Sequence, residues 1–431
     1  MRKLQMIIFI RNVLGEFIFY YPIIMSLVWM IGSIMYYNRM KKNKSGEDEN
    51  PVLDEQPFVS VLIPARNEEV HIGDTIRSVL NSDYKNFEIV VVNDASMDKT
   101  EEIVRNISKE NDKVRILNLR ENRGKAAGLN YAMLVSKGDI IVTIDADCLL
   151  KDDCISWMVW HFQKFPRVGA VTGNPRLKNT NRLLTHLQAV EYSNVIGLTK
   201  RSQRMLGKLH TISGVVAAFR RKALIDIGMW SEDMLTEDID VSWKLEQHFW
   251  DIRYEEKALC WIVTPETIGG LFQQRLRWCA GGAQVLRKHR EIWKDYRMRR
   301  MWPLYIDNLL SITWAYTFIT CLILWVIQVI SGIDITSTEI GNPFPFWRGC
   351  VIAMVCLLQF AISVWLDRKQ DKGIIKSCIY IIWYPVIYWL IQSFAAVIGT
   401  PKGFFREKNA TAIWVSPERG LIDNTRKEVS A

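Results

Sequence analysis

Asp139-Ile140-Ile141-Val142-Thr143-Ile144-Asp145-Ala146-Asp147 is a short apolar run that ends in two carboxylates one residue apart. Its β-branched residues read as a strand buried on both faces. Working outward, the same kind of run recurs at 58–64, 87–93 and 114–119, and helical patterns follow these at 69–80, 99–108 and 125–135. Apolar runs alternating with helices predict an α/β domain, a mostly parallel sheet with helices on both faces. Ligands of such sheets bind beyond the carboxyl ends of the strands. Those ends carry Asn67-Glu68, Asn93-Asp94 and Asp145-Ala146-Asp147. Neither G-x-G-x-x-G nor G-x-x-x-x-G-K-[ST] occurs, so the usual dinucleotide and P-loop readings lack support.

This domain is expected to be inserted between membrane segments. The chain has 431 residues, 49% of them hydrophobic and 23% charged, and a mean hydropathy of +0.01. That average hides a polar middle and apolar ends. Residues 17–37 are long enough to span a bilayer, and no cleavage site follows them, so they read as an anchor rather than a signal peptide. Before them, 1–16 is short and interrupted by Arg11, which predicts one span plus an interfacial segment. Further candidates are 309–330, 347–366 and 374–399, the last holding Lys376 and Pro385 and so open to a kinked or re-entrant course. The expected organisation is an anchor over 1–40, a linker over 41–56 and the catalytic domain over 57–267. Interfacial helices over 268–305, a transmembrane region over 306–400 and a basic tail over 401–431 follow.

The net charge of +9 does not point to nucleic acid, because its position argues otherwise. Arg39, Lys41, Lys42 and Lys44 follow the first span, and Arg297, Arg299 and Arg300 precede the second. Juxtamembrane clusters of this kind mark the cytoplasmic side. The loop 331–346 carries Asp334 and Glu339 and no lysine or arginine, which fits the outside. Three spans after a cytoplasmic domain would put Lys402, Arg406, Lys408 and Arg419 outside, against the same rule, unless the last segment does not cross. The eight cysteines form no C-x-x-C pair, which argues against a zinc site or disulfide framework.

The chemistry is carried by three motifs in order: Asp145-Ala146-Asp147, Thr236-Glu237-Asp238 and Gln274-Arg275-Leu276-Arg277-Trp278. Two carboxylates at a strand end suit a divalent cation that also binds a diphosphate, and such a metal neutralises charge on a departing nucleoside diphosphate. Asp238 is the expected general base, taking the proton of an attacking hydroxyl; Thr236 and Asp238 as helix caps is the competing reading. Asp94 is placed to meet a uridine base or to cap a helix. Asn67 and Glu68 would line the ribose or start a helix. Lys125, beside Gly124 and Arg123 at a helix start, would contact phosphate or base, or be solvated. Gln274, Arg277 and Trp278 share a helical face, with Arg277 suited to pyrophosphate and Trp278 to stacking on a sugar ring or to a membrane belt. Residues 183–198 and 268–289 look amphipathic, suited to the membrane interface or to an ordinary surface helix of the catalytic domain. The interfacial reading is favoured for 268–289 because it leads into the span near Leu309.

These motifs in this order resemble the processive family 2 glycosyltransferases, the cellulose, chitin and hyaluronan synthases. Longer strings look like the bacterial poly-β-1,6-N-acetylglucosamine synthases: Thr172-Gly173-Asn174-Pro175-Arg176, Ser213-Gly214-Val215-Val216-Ala217-Ala218-Phe219-Arg220-Arg221, Ile239-Asp240-Val241-Ser242-Trp243-Lys244-Leu245 and Trp414-Val415-Ser416-Pro417-Glu418-Arg419-Gly420. The resemblance covers about 57–420. It implies UDP-N-acetylglucosamine as donor, Mg2+ or Mn2+ as cofactor, and inversion to a β-1,6 linkage. It also implies export of the growing polysaccharide through the synthase's own spans in the bacterial inner membrane. Asp94 would meet uracil, Asp145 and Asp147 hold the metal diphosphate, and Asp238 act as base. Gln274, Arg277 and Trp278 would hold the acceptor end and pyrophosphate; Ser213, Gly214 and Glu237 would border the acceptor. The family works with a small membrane partner protein and, in some bacteria, responds to cyclic di-GMP, which here would have to act through that partner or an interface. A hyaluronan-, chitin- or cellulose-type product is the alternative, a non-processive lipid glycosyltransferase a more distant one.

Overall fold

The structure, a computed structural model, describes residues 2–42, 51–331, 346–407 and 410–413. The first four strands are β1 (Val59–Ala65), β2 (Phe87–Asp94), β3 (Val114–Leu119) and β4 (Ile140–Ile144), with α2 (Ile72–Leu80), α3 (Thr100–Glu110) and α4 (Lys125–Val135) between them. They pair in parallel, and β1 lies between β2 and β4. Successive side chains of a strand face opposite sides. Val61 and Ile63 of β1 therefore pack with Ile72, Ile76 and Val104, while Leu62 and Val90 pack with Ala126, Leu129 and Met133 of α4. Helices thus cover both faces of the sheet, as the apolar runs predicted.

The sheet is larger and more mixed than its opening strands indicated. It continues through β5 (Leu149–Leu150), β6 (Val168–Leu177), β7 (Val216–Arg220) and β8 (Asp251–Ile262) in the order β3-β2-β1-β4-β7-β6-β8-β5. β7 is antiparallel to both β4 and β6, so the parallel run breaks beside the two-carboxylate strand end. These strands lack the plain apolar signature: β8 interleaves Arg253, Glu255, Glu256 and Lys257 with its apolar residues, and β6 carries Gly169, Gly173 and Pro175 with a register shift between Thr172 and Asn174. The connecting helices are α5 (Cys154–Lys164), α6 (Leu183–Tyr192), α7 (Lys200–Leu206), α8 (Arg221–Asp226), α9 (Glu237–Gln247) and α10 (Ile268–Lys288).

At the N-terminus α1 (Arg2–Lys42) is one continuous helix that passes through Arg11, and its Asn12–Lys42 part is long and apolar enough to cross a membrane. With α11 (Trp302–Ser331) and α12 (Phe346–Asp367), it gives three helices long and apolar enough to cross a membrane. The candidate 374–399 is not one regular helix. It begins as a 3-10 helix (Lys372–Trp383), passes through a π turn (Tyr384–Tyr388) that holds Pro385, and becomes regular only in α13 (Trp389–Phe404). Proline supplies no N–H and clashes with the preceding turn, which accounts for the break. Lys44, most of the 331–346 loop, Lys408, Arg419 and the 414–420 string lie outside the described residues. At the C-terminal end of α12, buried Asp367 meets Arg176 of β6 and Arg201 of α7, each at 2.7 Å, and this ties the apolar helix to the sheet.

Candidate active site

The site forms where β4 ends and β7 begins. Asp145 N donates to Val215 O, and Cys148 N to Asp145 O at 3.1 Å, so the chain turns sharply at Asp145-Ala146-Asp147. Thr75 Oγ1 donates to Ala146 O at 2.7 Å and fixes that turn from α2. Asp147 is buried. Asp145 Oδ1 lies 2.6 Å from Lys125 Nζ, which is also 3.1 Å from Glu237 Oε1 and donates to Gly214 O at 2.9 Å. One ammonium thus joins the first motif, the second motif and the Ser-Gly turn. Burial opposes its charge, but Asp145 and Glu237 overcome that and raise its pKa. The solvated-lysine reading is therefore corrected.

Lys125 is aimed by the turn before it. Gly124 has φ +83°, a left-handed value that favours glycine, and its amide donates to Asp94 Oδ2 while Arg123 N donates to Oδ1. Asp94 therefore clamps the start of α4, not that of the helix next in sequence. Asn67 and Glu68 bind the neighbouring loop instead of projecting alone. Asn67 N donates to Ser96 Oγ, Met97 N to Asn67 Oδ1, and Glu68 N to Thr100 Oγ1. Together they shape the rim of the strand ends.

Asp238 opens α9 in the first helical turn. Its Oδ1 accepts from Ile239 N at 2.9 Å, and its Oδ2 faces Gly214. Burial and then the neighbouring Glu237 push its pKa up to about 6, against the opposing charges of Lys125 and Arg277. Thr236 makes no capping bond with its hydroxyl, which has no hydrogen-bond partner; the capping reading fails for this residue. Ser213 N donates to Thr172 Oγ1 at 2.8 Å, and buried Lys200 donates to the same oxygen at 3.0 Å. Burial brings Lys200 down to about 7, opposed by the charge of Asp238. Neither Thr172 nor Lys200 stood out as a site residue in the sequence, where both resemble ordinary polar residues.

The third motif holds the second in place. On α10, Arg277 donates to Leu235 O, and Gln284 takes Leu235 N on Oε1 while donating to Asp233 O. Between them, a Cβ on Gly281 would lie 2.3 Å from Thr236 Oγ1. Arg277, Gly281 and Gln284 thus form one stripe at helical spacing that grips the loop before Asp238. That spacing was the available signal for Gly281 and Gln284, which the sequence reading missed. Trp278 is half-buried with the Arg275 guanidinium 4.2 Å from its ring centre, and Gln274 Oε1 is buried without a hydrogen-bond partner. Arg275, the unremarked residue of the motif, is a buried anchor to Glu191 and Tyr388.

A strand-end carboxylate pair, a partly buried carboxyl at the start of α9 and an adjoining apolar helix system fit a membrane-bound glycosyltransferase. Residues 56–281 match the model of "Glycosyltransferase like family 2". A poly-β-1,6-N-acetyl-D-glucosamine synthase of Staphylococcus epidermidis is 37% identical over 417 residues, 94% of this chain and 98% of the relative. One from Staphylococcus aureus (strain COL) is 36% identical over 409 residues with the same coverage. Among solved structures, a mannosyltransferase of Pyrobaculum calidifontis, in complex with GDP-Man and Mn2+, superposes with a TM-score of 0.56 at 20% identity, covering 85% of this chain and 99% of its own; that likeness concerns the fold. The chain belongs to glycosyltransferase family 2, and within it to the family of the poly-β-1,6-N-acetyl-D-glucosamine synthases. It is a membrane hexosyltransferase.

Proposed function

We propose that this enzyme polymerises N-acetylglucosamine from UDP-N-acetylglucosamine, with inversion, into a β-1,6-linked exopolysaccharide. It passes the growing chain across the bacterial inner membrane from a cytoplasmic catalytic domain. The observation that carries the reading is the Lys125 ammonium, which gathers Asp145, Glu237 and the Gly214 carbonyl around one spot beside Asp238. Asp238 takes the proton of the acceptor 6-hydroxyl. Its second oxygen faces Gly214, the one residue type that leaves room for an acceptor there. Arg277 and Gln274 hold pyrophosphate and the acceptor end, and Trp278 supplies a stacking face. Asp94 fixes the turn against which the base lies, and Asn67 and Glu68 border the ribose.

Asp145 and Asp147 fit a divalent cation. Both donors are hard oxygens, and no cluster of three or more acidic, histidine or cysteine ligands occurs among the described residues. Two carboxylates completed by substrate phosphate are the arrangement Mg2+ favours, and Mn2+ accepts the same donors. The metal, when bound, offsets the charge that grows on the leaving UDP. Lys125 keeps Asp145 oriented and supplies a fixed positive charge nearby. A small membrane partner protein, with cyclic di-GMP acting through it, belongs to the same reading.

The test is purified full chain in lipid, supplied with Mg2+ and a panel of UDP-sugars, with product challenged by a β-1,6-N-acetylglucosamine-specific hydrolase. Polymer from UDP-N-acetylglucosamine alone, digested by that hydrolase and lost on chelation, is the expected outcome. Polymer from another UDP-sugar, or resistance to the hydrolase, overturns the substrate and linkage.

A further inference from the structure

A second concavity lies away from the catalytic carboxylates, between the turn after α7 and the 3-10 turn Tyr296–Met298 that leads into α11. It encloses about 290 Å³ and is lined by Lys208, Arg299, Arg300 and Arg167, among others. Lys208 and Arg300 form no ion pair among the described residues, and Arg299 is committed only to the Tyr296 carbonyl and ring. Arg297, also on the wall, is already paired with Asp295. The charge of Lys208 acts on Glu246 of the same wall, but Arg299 and Arg300 have no ion-pair partner among the described residues, and an anion offsets such unpaired positive charge.

A further observation points to an occupant. Glu246, 2% exposed, lines the cavity; its Oε1 accepts from Leu209 N, and its Oε2 is buried with no hydrogen-bond partner. Burial pushes this carboxyl up to about 7, so near neutrality much of it carries a proton that can be donated. Asp251 is the other acid on the wall. Phe249 lines the same cavity with φ +62° and an exposed ring. The left-handed value belongs to the C-terminal cap of α9, where Phe249 N donates to Glu246 O and Trp250 N to Leu245 O, and it leaves the ring on the cavity wall.

We infer that this cavity is a docking site for the phosphate headgroup of an anionic phospholipid. Lys208, Arg299 and Arg300 hold the phosphate, Glu246 meets an oxygen on it, and Phe249 covers the start of the acyl region. A lipid is favoured over a free phosphate by placement. The cavity wall runs directly into α11 at Trp302, an apolar helix of spanning length, and Tyr296 and Phe249 are exposed beside the arginines. Aromatic and basic residues mixed in this way belong to a membrane surface.

The test is native mass spectrometry of the full chain released from detergent with phosphatidylglycerol and phosphatidylcholine in equal amounts. Preferential retention of phosphatidylglycerol is expected, falling about fivefold for each cation removed in Lys208→Gln, Arg299→Gln and Arg300→Gln. Phe249→Gly relieves the backbone, so it should keep or raise thermal stability while also losing the lipid. Equal retention of the two lipids by the natural chain, or undiminished phosphatidylglycerol in the triple variant, overturns the site. Displacement of the lipid by millimolar inorganic phosphate would instead make it a free-anion site and would overturn the lipid assignment.

Discussion

Gly214 and Asp238 share a space that holds only one of their side chains: a Cβ on Gly214 would stand 2.9 Å from Asp238 Oδ2. The proposed base is therefore positioned partly by what its neighbour lacks. Gly214→Ala should push the carboxylate out of line with an acceptor hydroxyl, and a displacement of about 1 Å at a reacting group costs on the order of 100-fold in rate. Elongation measured at saturating donor should fall by that order while UDP affinity by calorimetry stays near normal. Equal losses in rate and UDP affinity would place Gly214 in donor binding instead.

The pH profile should report Asp238. Its pKa is raised to about 6 by burial and by Glu237, and a general base works only when ionised. The rate should therefore climb as pH rises through about 6 and then level. Asp238→Asn should lower elongation by about 100- to 10,000-fold, abolish that limb and leave UDP binding intact. Near-normal elongation by this variant would remove Asp238 from the role of base.

Lys200 should move the same limb without touching the acceptor. Its ammonium, pushed down to about 7 by burial, favours the ionised form of Asp238. Lys200→Met withdraws that charge, so the acidic limb should shift to higher pH, whereas Lys200→Arg should hold it in place. A limb unmoved in both variants would make Lys200 a purely structural partner of Thr172.

Lys125 should show itself in stability as well as rate. Lys125→Met leaves Asp145 and Glu237 facing each other without compensation in a half-buried site. Removing one partner of a fully buried pair costs about 3–5 kcal/mol; partial exposure here places the loss nearer about 2 kcal/mol. A clear fall in thermal midpoint with loss of metal-dependent donor binding is expected. A variant that keeps both would disprove the pin.

The sequence made the parallel half of the sheet legible because β1, β2 and β4 are buried on both faces and so consist of near-continuous apolar residues. It hid β6 and β8, whose glycines, proline and charges answer to bulges and neighbours that only the folded chain supplies. The motif carboxylates could be named from position along the strands, since strand ends converge in this class of sheet. Their connection through Lys125 could not, because 89 residues separate Lys125 from Gly214. The stretch 374–399 is apolar in composition, but Lys376 and Pro385 left its course open to a kink, and the chain there runs through 3-10 and π turns before α13 begins.

Arg275 and Glu191 bind α10 to α6 beneath the third motif, both essentially buried and joined by Tyr388. Arg275→Leu alone strands a carboxylate and Glu191→Leu alone strands a guanidinium, each a loss of about 3–5 kcal/mol. Replacing both by apolar residues removes the uncompensated charge, so the double variant should be more stable than either single one, a coupling that a thermal double-mutant cycle reads directly. Activity should not recover with stability, because the Arg275 guanidinium also covers one face of Trp278, the ring proposed to stack on the acceptor. Full recovery of both would show that this motif needs only a folded α10, and that the orientation of Trp278 contributes nothing to elongation.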